Sequence, residues 1–315
     1  MATAASRPQP HCVAVAASGG RDSTALLHAT VRQAQPLGIE VVALHVHHGL
    51  VPEADVWLEH VRRQARRFGA RFACERLSGQ PAPGDSVEAW ARKHRYAALA
   101  QLARGEGACL VLLAQHRRDQ AETFLIQALR GGGAPGLAGM PRLVERDGIT
   151  WARPWLGCSR ASIEAYVRRC TLSFIEDPSN DDPRFARGRL RALWPALEEQ
   201  FVDAETTLAR AAQRAAIDAA VLDEIVEADL AALGAAGQPL PVAAWLRLSL
   251  ARRSAVLRRW LATVLPTPVP ETLVRRLADE LPGRLHARWP AGEGDLVLAR
   301  GLLAYGAAAP GRRHG

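Results

Sequence analysis

The feature that most constrains this chain is a short apolar run, residues 12–17, which shows no polar alternation and breaks off in Ser18-Gly19-Gly20. A strand that is apolar at successive positions must bury both faces, which is how strands of a helix-covered parallel sheet read. The pattern recurs. Residues 40–46, about 70–77 and 109–114 read as further strands. Helical spacing fills about 22–35, 53–68, a stretch from a cap at Asp85 or Ser86 to about 104, and 119–130, where Gly131-Gly132-Gly133 breaks it. Such alternation builds βαβ units, so the expected class is α/β with a parallel sheet and helices on both faces. After about residue 190 the character changes to Ala-, Leu- and charge-rich helix, with a connection at Gln238-Pro239-Leu240-Pro241, helices near 242–263 and 270–280, and short strands near 285–305. The expected organisation is a catalytic domain over 1–200, a smaller, mainly helical domain over 201–305 and a disordered tail over 306–315.

Ligands of such sheets bind beyond the carboxyl ends of the strands. The polar segments 18–23, 45–50 and 115–119 each follow an apolar strand, so they should gather at one sheet edge. Ser18-Gly19-Gly20-Arg21-Asp22-Ser23 lies between a strand and a helix. Its glycines let the backbone approach an anion, and the free amides of the helix start attract phosphate. Ser18 and Ser23 add hydroxyls; Arg21 adds charge or points to solvent. An ordinary βα turn is the competing reading. No lysine follows, so this is not a Walker loop, and it lacks the G-x-G-x-x-G of dinucleotide folds. Asp22 would repel phosphate unless a cation lay between them, which points to Mg²⁺ held there; a first-turn carboxylate complementing the helix dipole is the alternative.

The formal net charge of +8 favours an anionic partner such as nucleic acid, and Lys93 is the only lysine among 40 Lys and Arg residues. Arginine suits phosphate because its fork bonds two oxygens at once. The five cysteines include no C-x-x-C, which disfavours a zinc ribbon. Cys12 and Cys109 sit in apolar runs and read as buried. Scattered cysteines, the lack of a signal-like apolar stretch in residues 1–10 and the lack of a membrane-length apolar run lead to the expectation of a cytoplasmic protein without a membrane partner.

The loop resembles the PP-loop of the N-type ATP pyrophosphatases, and later motifs narrow the resemblance to the tRNA(Ile)-lysidine synthetases. His45-Val46-His47-His48-Gly49-Leu50 is similar to H-V-[NDH]-H-G-L. Glu88, Ala91-Arg92 and Arg95-Tyr96 resemble E-x-x-A-R-x-x-R-Y, and the run from Ala114 to Thr123 resembles A-H-H-x-D-D-Q-A-E-T. Arg130-Gly131-Gly132-Gly133, Arg153-Pro154-Trp155-Leu156, Glu176-Asp177-Pro178-Ser179-Asn180 and the basic run Arg187 to Arg191 complete the series over about residues 12–200. Three positions depart from the pattern: Gln115 for the first histidine, Arg118 for the first aspartate and Gly188 for an asparagine.

The resemblance implies a Rossmann-like, adenine nucleotide α-hydrolase-like fold. It implies an ATP-dependent ligase that joins free L-lysine to C2 of the wobble cytidine of a minor isoleucine tRNA, through an adenylated base, releasing AMP and pyrophosphate. Another PP-loop tRNA-modifying enzyme, such as a thiolation enzyme, is the alternative. ATP and Mg²⁺ are implied, with Asp22 as the metal ligand. Asp22, His116 and Asp119 are the catalytic candidates. Ser18, Gly19, Gly20, Arg21, Asp22, Ser23, His45 and His48 are the nucleotide-binding ones. Arg92, Arg95, Glu122, Arg130, Asp177, Asn180, Arg187 and Arg191 are the candidates for substrate and the tRNA anticodon stem-loop. Each has a plainer reading: His45 as a strand residue satisfied by backbone, Asp119 and Glu122 as dipole partners, Asp177 and Asn180 as an Asx turn, and Arg187 and Arg191 as a solvated face. Longer members carry a further C-terminal domain, so a two-domain form reading mainly the anticodon stem-loop is expected; a homodimer is left open.

Overall fold

The computed structural model describes residues 11–47, 49, 53–77, 79, 87–176 and 182–307. The chain divides into two compact units, Met1–Ala216 and Ile217–Gly315. In chain order the first contains β1 (Cys12–Ala16), α1 (Arg21–Ala34), β2 (Glu40–His47), α2 (Ala54–Phe68), β3 (Arg71–Arg76), α3 (Val87–Gly105), β4 (Leu110–Leu112), α4 (Arg117–Leu129), the single turn α5 (Ala134–Leu137), β5 (Leu143–Arg146), β6 (Ile149–Ala152), α6 (Arg160–Arg169) and α7 (Ala186–Gln200). The division between the units falls inside α8 (Ala204–Ala232).

Six strands form one sheet in the order β3-β2-β1-β4-β6-β5. All neighbours run parallel except β5, which pairs antiparallel with β6 at the edge. The register sets Val13 beside Val41 on one side and Leu110 on the other. Because side chains alternate across a strand, Val42, Leu44 and Val46 join Leu99 and Ala103 of α3 on one face. Val41 and Ala43 join Leu26, Leu27 and Val31 of α1 and Val61 of α2 on the other. Both faces are therefore covered, as an all-apolar β1 requires. Helix α2 stops at Gly69, whose φ of 86° lets its amide bond Arg66 O at 3.1 Å while Ala70 N bonds Ala65 O at 2.8 Å.

Cys109, expected inside, is exposed: it precedes β4 at the amino edge of the sheet, where the apolar run has not yet entered the core. The β5–β6 hairpin, absent from the sequence reading, turns on Asp147 and Gly148, both at positive φ (55° and 74°), the conformation of the two-residue turns whose twist suits a hairpin.

The second unit carries the remainder of α8, α9 (Val242–Trp245), α10 (Leu250–Val264) and α11 (Glu271–Glu280). It also has a four-stranded sheet in the order β7-β10-β9-β8, made of β7 (Leu240–Pro241), β8 (Ala287–Ala291), β9 (Gly294–Ala299) and β10 (Leu302–Ala307). The short strands expected near 285–305 are thus β8, β9 and β10, and alternating β9 side chains Leu296 and Leu298 close the core over Trp260 and Leu277. The indole N–H groups of Trp245, Trp260 and Trp289 bond Arg253 O, Gln238 O and Glu280 Oε2 at 3.0, 2.8 and 2.8 Å, so no buried indole of this core lacks an acceptor. Strand β10 continues through Gly306 and Ala307, where a tail was expected; residues 308–315 of that tail lie outside the described residues.

Candidate active site

Strand β1 has β2 on one side and β4 on the other. The chain thus leaves β1 toward one flank of the sheet and returns to β4 on the opposite flank, so the loops after β1 and β4 splay apart. A crevice must open between them. There lies a cavity of about 730 Å³, lined among others by Ser18, Gly20, Asp22, His116, Asp119 and Arg187. The segments after β1 and β4 meet as the sequence reading expected. Of the third segment, Val46 lines the cavity, while His45 is 5% exposed, lies off the cavity wall, and its Nδ1–H donates to Ala17 O at 2.8 Å. It fixes the end of β1 from behind rather than facing the crevice. His48, Asp177 and Asn180 lie outside the described residues.

The turn from Ser18 to Ser23 is closed and polar. Ser18 N–H donates to Ser23 Oγ at 3.2 Å, the two serine hydroxyls lie 3.0 Å apart, and Gly20 N–H donates to Ser18 Oγ at 3.3 Å. A strap made by residues 173–175 crosses the back of this turn. Ile175 N–H donates to Gly19 O at 2.9 Å, Thr24 Oγ1 donates to Gln64 Oε1 at 3.2 Å, and Gln64 Nε2 donates to Ser173 O. Gly19 sits at φ 90°, with Ile175 and Val61 packed where a β-carbon would stand. The strap leads directly into Glu176, which reaches the cavity wall.

His116 caps α4: its Nδ1 accepts from Arg118 N–H at 3.2 Å, while Asp119 Oδ2 accepts from His116 N–H at 3.0 Å. That arrangement leaves the proton of a neutral ring on Nε2, which lies 3.6 Å from both Asp22 Oδ2 and Asp119 Oδ2. At that separation the contact is electrostatic rather than a formed hydrogen bond. Burial by itself would lower the His116 pKa, but Asp22 and Asp119 outweigh it and hold it above the usual imidazole value. Burial likewise works to raise the Asp22 carboxyl, yet His116 and Arg21 beside it hold it at about 2. Asp22 is therefore anionic at neutral pH.

Arg21 is less available than its place in the motif suggests. Its Nη1 donates to Glu164 Oε1 at 2.7 Å and its Nε to Asp22 Oδ1 at 2.9 Å. Arg191 Nε donates to Glu122 Oε1 at 3.1 Å, and Glu122 is 1% exposed. Arg187 Nη2 donates to Thr123 Oγ1 at 3.0 Å. Arg95 lines the cavity without a hydrogen bond or ion pair to a described residue; burial lowers its pKa, against Tyr96, and nearby Arg92 and Arg187 lower it further. Arg92 and Arg130 are exposed and off the cavity wall, Arg92 stacking 5.2 Å from the centre of the Tyr96 ring.

Several residues that shape the site escaped the sequence reading: Gln64, Glu164, Ile175 and Glu205. Ile175 had a signal, since it abuts Glu176 of a motif, and Glu164 stands four residues after Arg160, with which it pairs at 3.0 Å. Gln64 and Glu205 are distant in sequence from what they hold. Asp22 suits a magnesium ion: one carboxylate kept anionic beside a glycine turn at a helix start fits a cation that takes few protein ligands and completes its shell with other oxygen donors. No cluster of three or more His, Cys, Asp or Glu suited to a metal occurs among the described residues, so the site does not resemble a closed protein cage.

The chain is similar to known proteins. Residues 2–197 match the family model of the PP-loop domain. A tRNA(Ile)-lysidine synthase of Ralstonia nicotianae is 46% identical over 79% of this chain, which spans 54% of that relative's length. The tRNA(Ile)-lysidine synthase of Bordetella pertussis is 41% identical over 89% of each chain. Among solved structures, the U34-tRNA thiolase NcsA of Methanococcus maripaludis, with its [4Fe-4S] cluster, superposes with a TM-score of 0.56 at 13% identity, covering 64% of this chain and 70% of that one. At that identity the likeness speaks for the fold alone. No helix among the described residues is long and apolar enough to cross a membrane.

Proposed function

The chain belongs to the tRNA(Ile)-lysidine synthase family of PP-loop enzymes, and from that premise we propose that it ligates free L-lysine to C2 of the wobble cytidine in the CAU anticodon of a minor isoleucine tRNA, consuming ATP and releasing AMP and pyrophosphate. The observation that carries this reading is the meeting of Asp22 and His116 from the loops after β1 and β4, beside a turn shaped for phosphate.

The C2 oxygen of cytidine is a very poor leaving group. Its attack on the α-phosphate of ATP forms an O–P bond, breaks the bond to pyrophosphate and leaves the base adenylated. The ε-amine of lysine then attacks C2, and AMP departs with the former carbonyl oxygen. The amides of Gly19 and Gly20 and the hydroxyls of Ser18 and Ser23 hold the pyrophosphate portion. A magnesium ion at Asp22 would neutralise phosphate charge. His116 presents an N–H toward the crevice, with its other nitrogen already accepting from backbone, which suits a donor to developing negative charge better than a base. The proton lost by the attacking amine then goes to a carboxylate, of which Asp119 is placed next to His116. Asp119 and Glu122, bridged by Arg191, form the anionic end of the crevice, the right charge for the lysine ammonium. Arg95 and Arg187 form a cationic end for the amino-acid carboxylate or an RNA phosphate. The target base must leave its stack to reach this depth. The charge of +8 suits a tRNA, with the anticodon stem-loop as the part read.

Incubation of the purified protein with ATP, labelled lysine and tRNA transcripts that differ only in the anticodon, followed by mass spectrometry of the nucleosides, tests the reading. Lysine incorporation into the CAU isoleucine transcript, well above that into a methionine transcript, is expected. Equal labelling of both removes the specificity, and in a parallel reaction supplied with sulfide, a sulfur-containing nucleoside with no lysine product in the first hands the site to the thiolation alternative.

A further inference from the structure

Helix α4 begins with two arginines, Arg117 and Arg118, the worst charge for a helix start, where the dipole favours anions. Arg118 also stands where the family pattern has an aspartate. The structure shows what offsets both. One carboxylate takes one oxygen to each: Arg117 Nε donates to Glu205 Oε1 at 2.8 Å and Arg118 Nε to Glu205 Oε2 at 3.1 Å. Glu205 is 9% exposed, in the first turn of α8, within the same compact unit as the PP-loop. The Arg118 guanidinium is sandwiched further, with its centre 4.6 Å from the ring of Trp194 and Nη2 on Glu198. Beneath this clasp Ala121, Leu190 and Trp194 form a small buried cluster that joins α4 to α7.

The clasp bears on His116 through one atom. The backbone N–H of Arg118 is the group that holds His116 Nδ1, at 3.2 Å, and so sets which ring nitrogen faces Asp22 and Asp119. Arg117 N–H is fixed in turn on Cys158 O at 3.0 Å. Were Glu205 neutral, two guanidiniums would share the helix start without a full counter-charge, and Arg118, which also lines the cavity, would be drawn toward bound phosphate. We propose that Glu205 is a positioning residue for the reaction: it pins the first turn of α4 through Arg117 and Arg118, and by way of the Arg118 amide it holds the His116 ring against Asp22. It also explains how this chain accommodates arginine at position 118. The assignment rests on the function proposed above for its kinetic consequence, but not for its structural one.

Two readouts test it, on the full chain. Glu205→Gln keeps the shape and removes the charge. Its kcat for tRNA-dependent AMP release is expected to fall by about 10-fold, the equivalent of one charged hydrogen bond, with KM for ATP changed less than about twofold. Glu205→Asp, which keeps the charge, should recover a large part of kcat. Independently of activity, amide hydrogen exchange at Arg118 should quicken by about 10-fold in Glu205→Gln, while α1 and α10 exchange as in the wild type. Should Glu205→Gln not fold, Arg117→Met and Arg118→Met remove the same clasp from the other side and take the same readouts. Wild-type kcat together with wild-type exchange at Arg118 overturns the proposal. So does a uniform rise in exchange throughout the unit, which would make Glu205 a general structural residue. A wild-type protein without lysidine activity would sink the proposed function, while the exchange data would still decide the clasp.

Discussion

Gly19→Ala is the sharpest perturbation of the PP-loop, because the structure separates its cost into two parts. The first is backbone. At φ 90° an L-residue is strained, a cost of about 1–2 kcal/mol. The second is space: a β-carbon at Gly19 would stand 2.9 Å from Ile175 Cδ1 and 3.0 Å from Val61 Cγ2, both in a packed layer. Overpacking of that kind costs about 1–3 kcal/mol. The sum is about 2–5 kcal/mol. Unlike a surface change, it is directed at the strap, since Ile175 N–H is also what holds Gly19 O. Urea unfolding of Gly19→Ala should show that loss, and ATP affinity should fall at least about 10-fold as the turn yields. Ile175→Val deletes Cδ1 and costs about 1 kcal/mol alone. In the double variant it should return part of the spatial cost while leaving the φ cost intact, giving a favourable coupling of about 1 kcal/mol. Strict additivity of the two changes would refute the reasoning, because it would mean that the strap does not press on the loop.

Three further outcomes follow from the same geometry. Asp22→Asn should lower the rate of tRNA-dependent pyrophosphate release by about 100-fold or more, read in a coupled phosphate assay; unchanged turnover would remove Asp22 from the chemistry. The same variant should alter acid stability. The Asp22 carboxyl, lowered from 3.8 to about 2 in the folded chain, contributes at most about 2 kcal/mol that is present above pH 3.8 and is lost as pH falls from there toward 2. His116, raised when folded, contributes in the opposite sense: its share is present at lower pH and fades as pH climbs through its folded value. Urea midpoints measured from pH 3 to 8 should therefore show a shallower acid limb for Asp22→Asn, and an unaltered limb would contradict the pairing. Finally, Arg95→Met should stabilise the ligand-free protein slightly, by relieving repulsion from Arg92 and Arg187, while weakening substrate binding; a drop in its melting midpoint would speak against Arg95 as an uncompensated charge.

The strands and helices of the first unit were legible because each obeys a local rule. Residues 12–17 are apolar throughout and bury both faces; α1 starts after glycines and ends on Gln35 before Pro36 and Gly38. The β5–β6 hairpin was equally legible in principle, for Asp147-Gly148 between Arg146 and Ile149 is a turn signal of the strongest kind, and it went unread. His45 was legible only as a pair of alternatives: a histidine within an apolar strand reads the same whether it faces a ligand or, as here, the Ala17 carbonyl 28 positions away. Arg118 and Glu205 are 87 positions apart, and nothing at either place announces the other. Local pattern reports backbone and burial; it cannot report which of many charged partners a long side chain will choose.

That choice decides what each arginine can do. Arg21 lies inside the phosphate loop, and from sequence it is the natural phosphate contact. Yet Glu164 and Asp22 already share its guanidinium, so a nucleotide would have to displace a carboxylate to engage it fully. Arg160 shares Glu164, Arg118 is closed by Glu205 and Glu198, and Arg191 is spent on Glu122 and, at 3.8 Å, Asp119. Among the described residues on the cavity wall, only Arg95 and Arg187 face it without a carboxylate partner. Paired arginines hold walls in place, because moving them leaves a buried charge behind, whereas unpaired ones gain most from an arriving anion. The order of importance for binding is thus the reverse of that suggested by closeness to the motif. The Arg95–Arg187 end is poised for ligand charge, and Arg21 serves first to keep Asp22 ionised and aimed at His116.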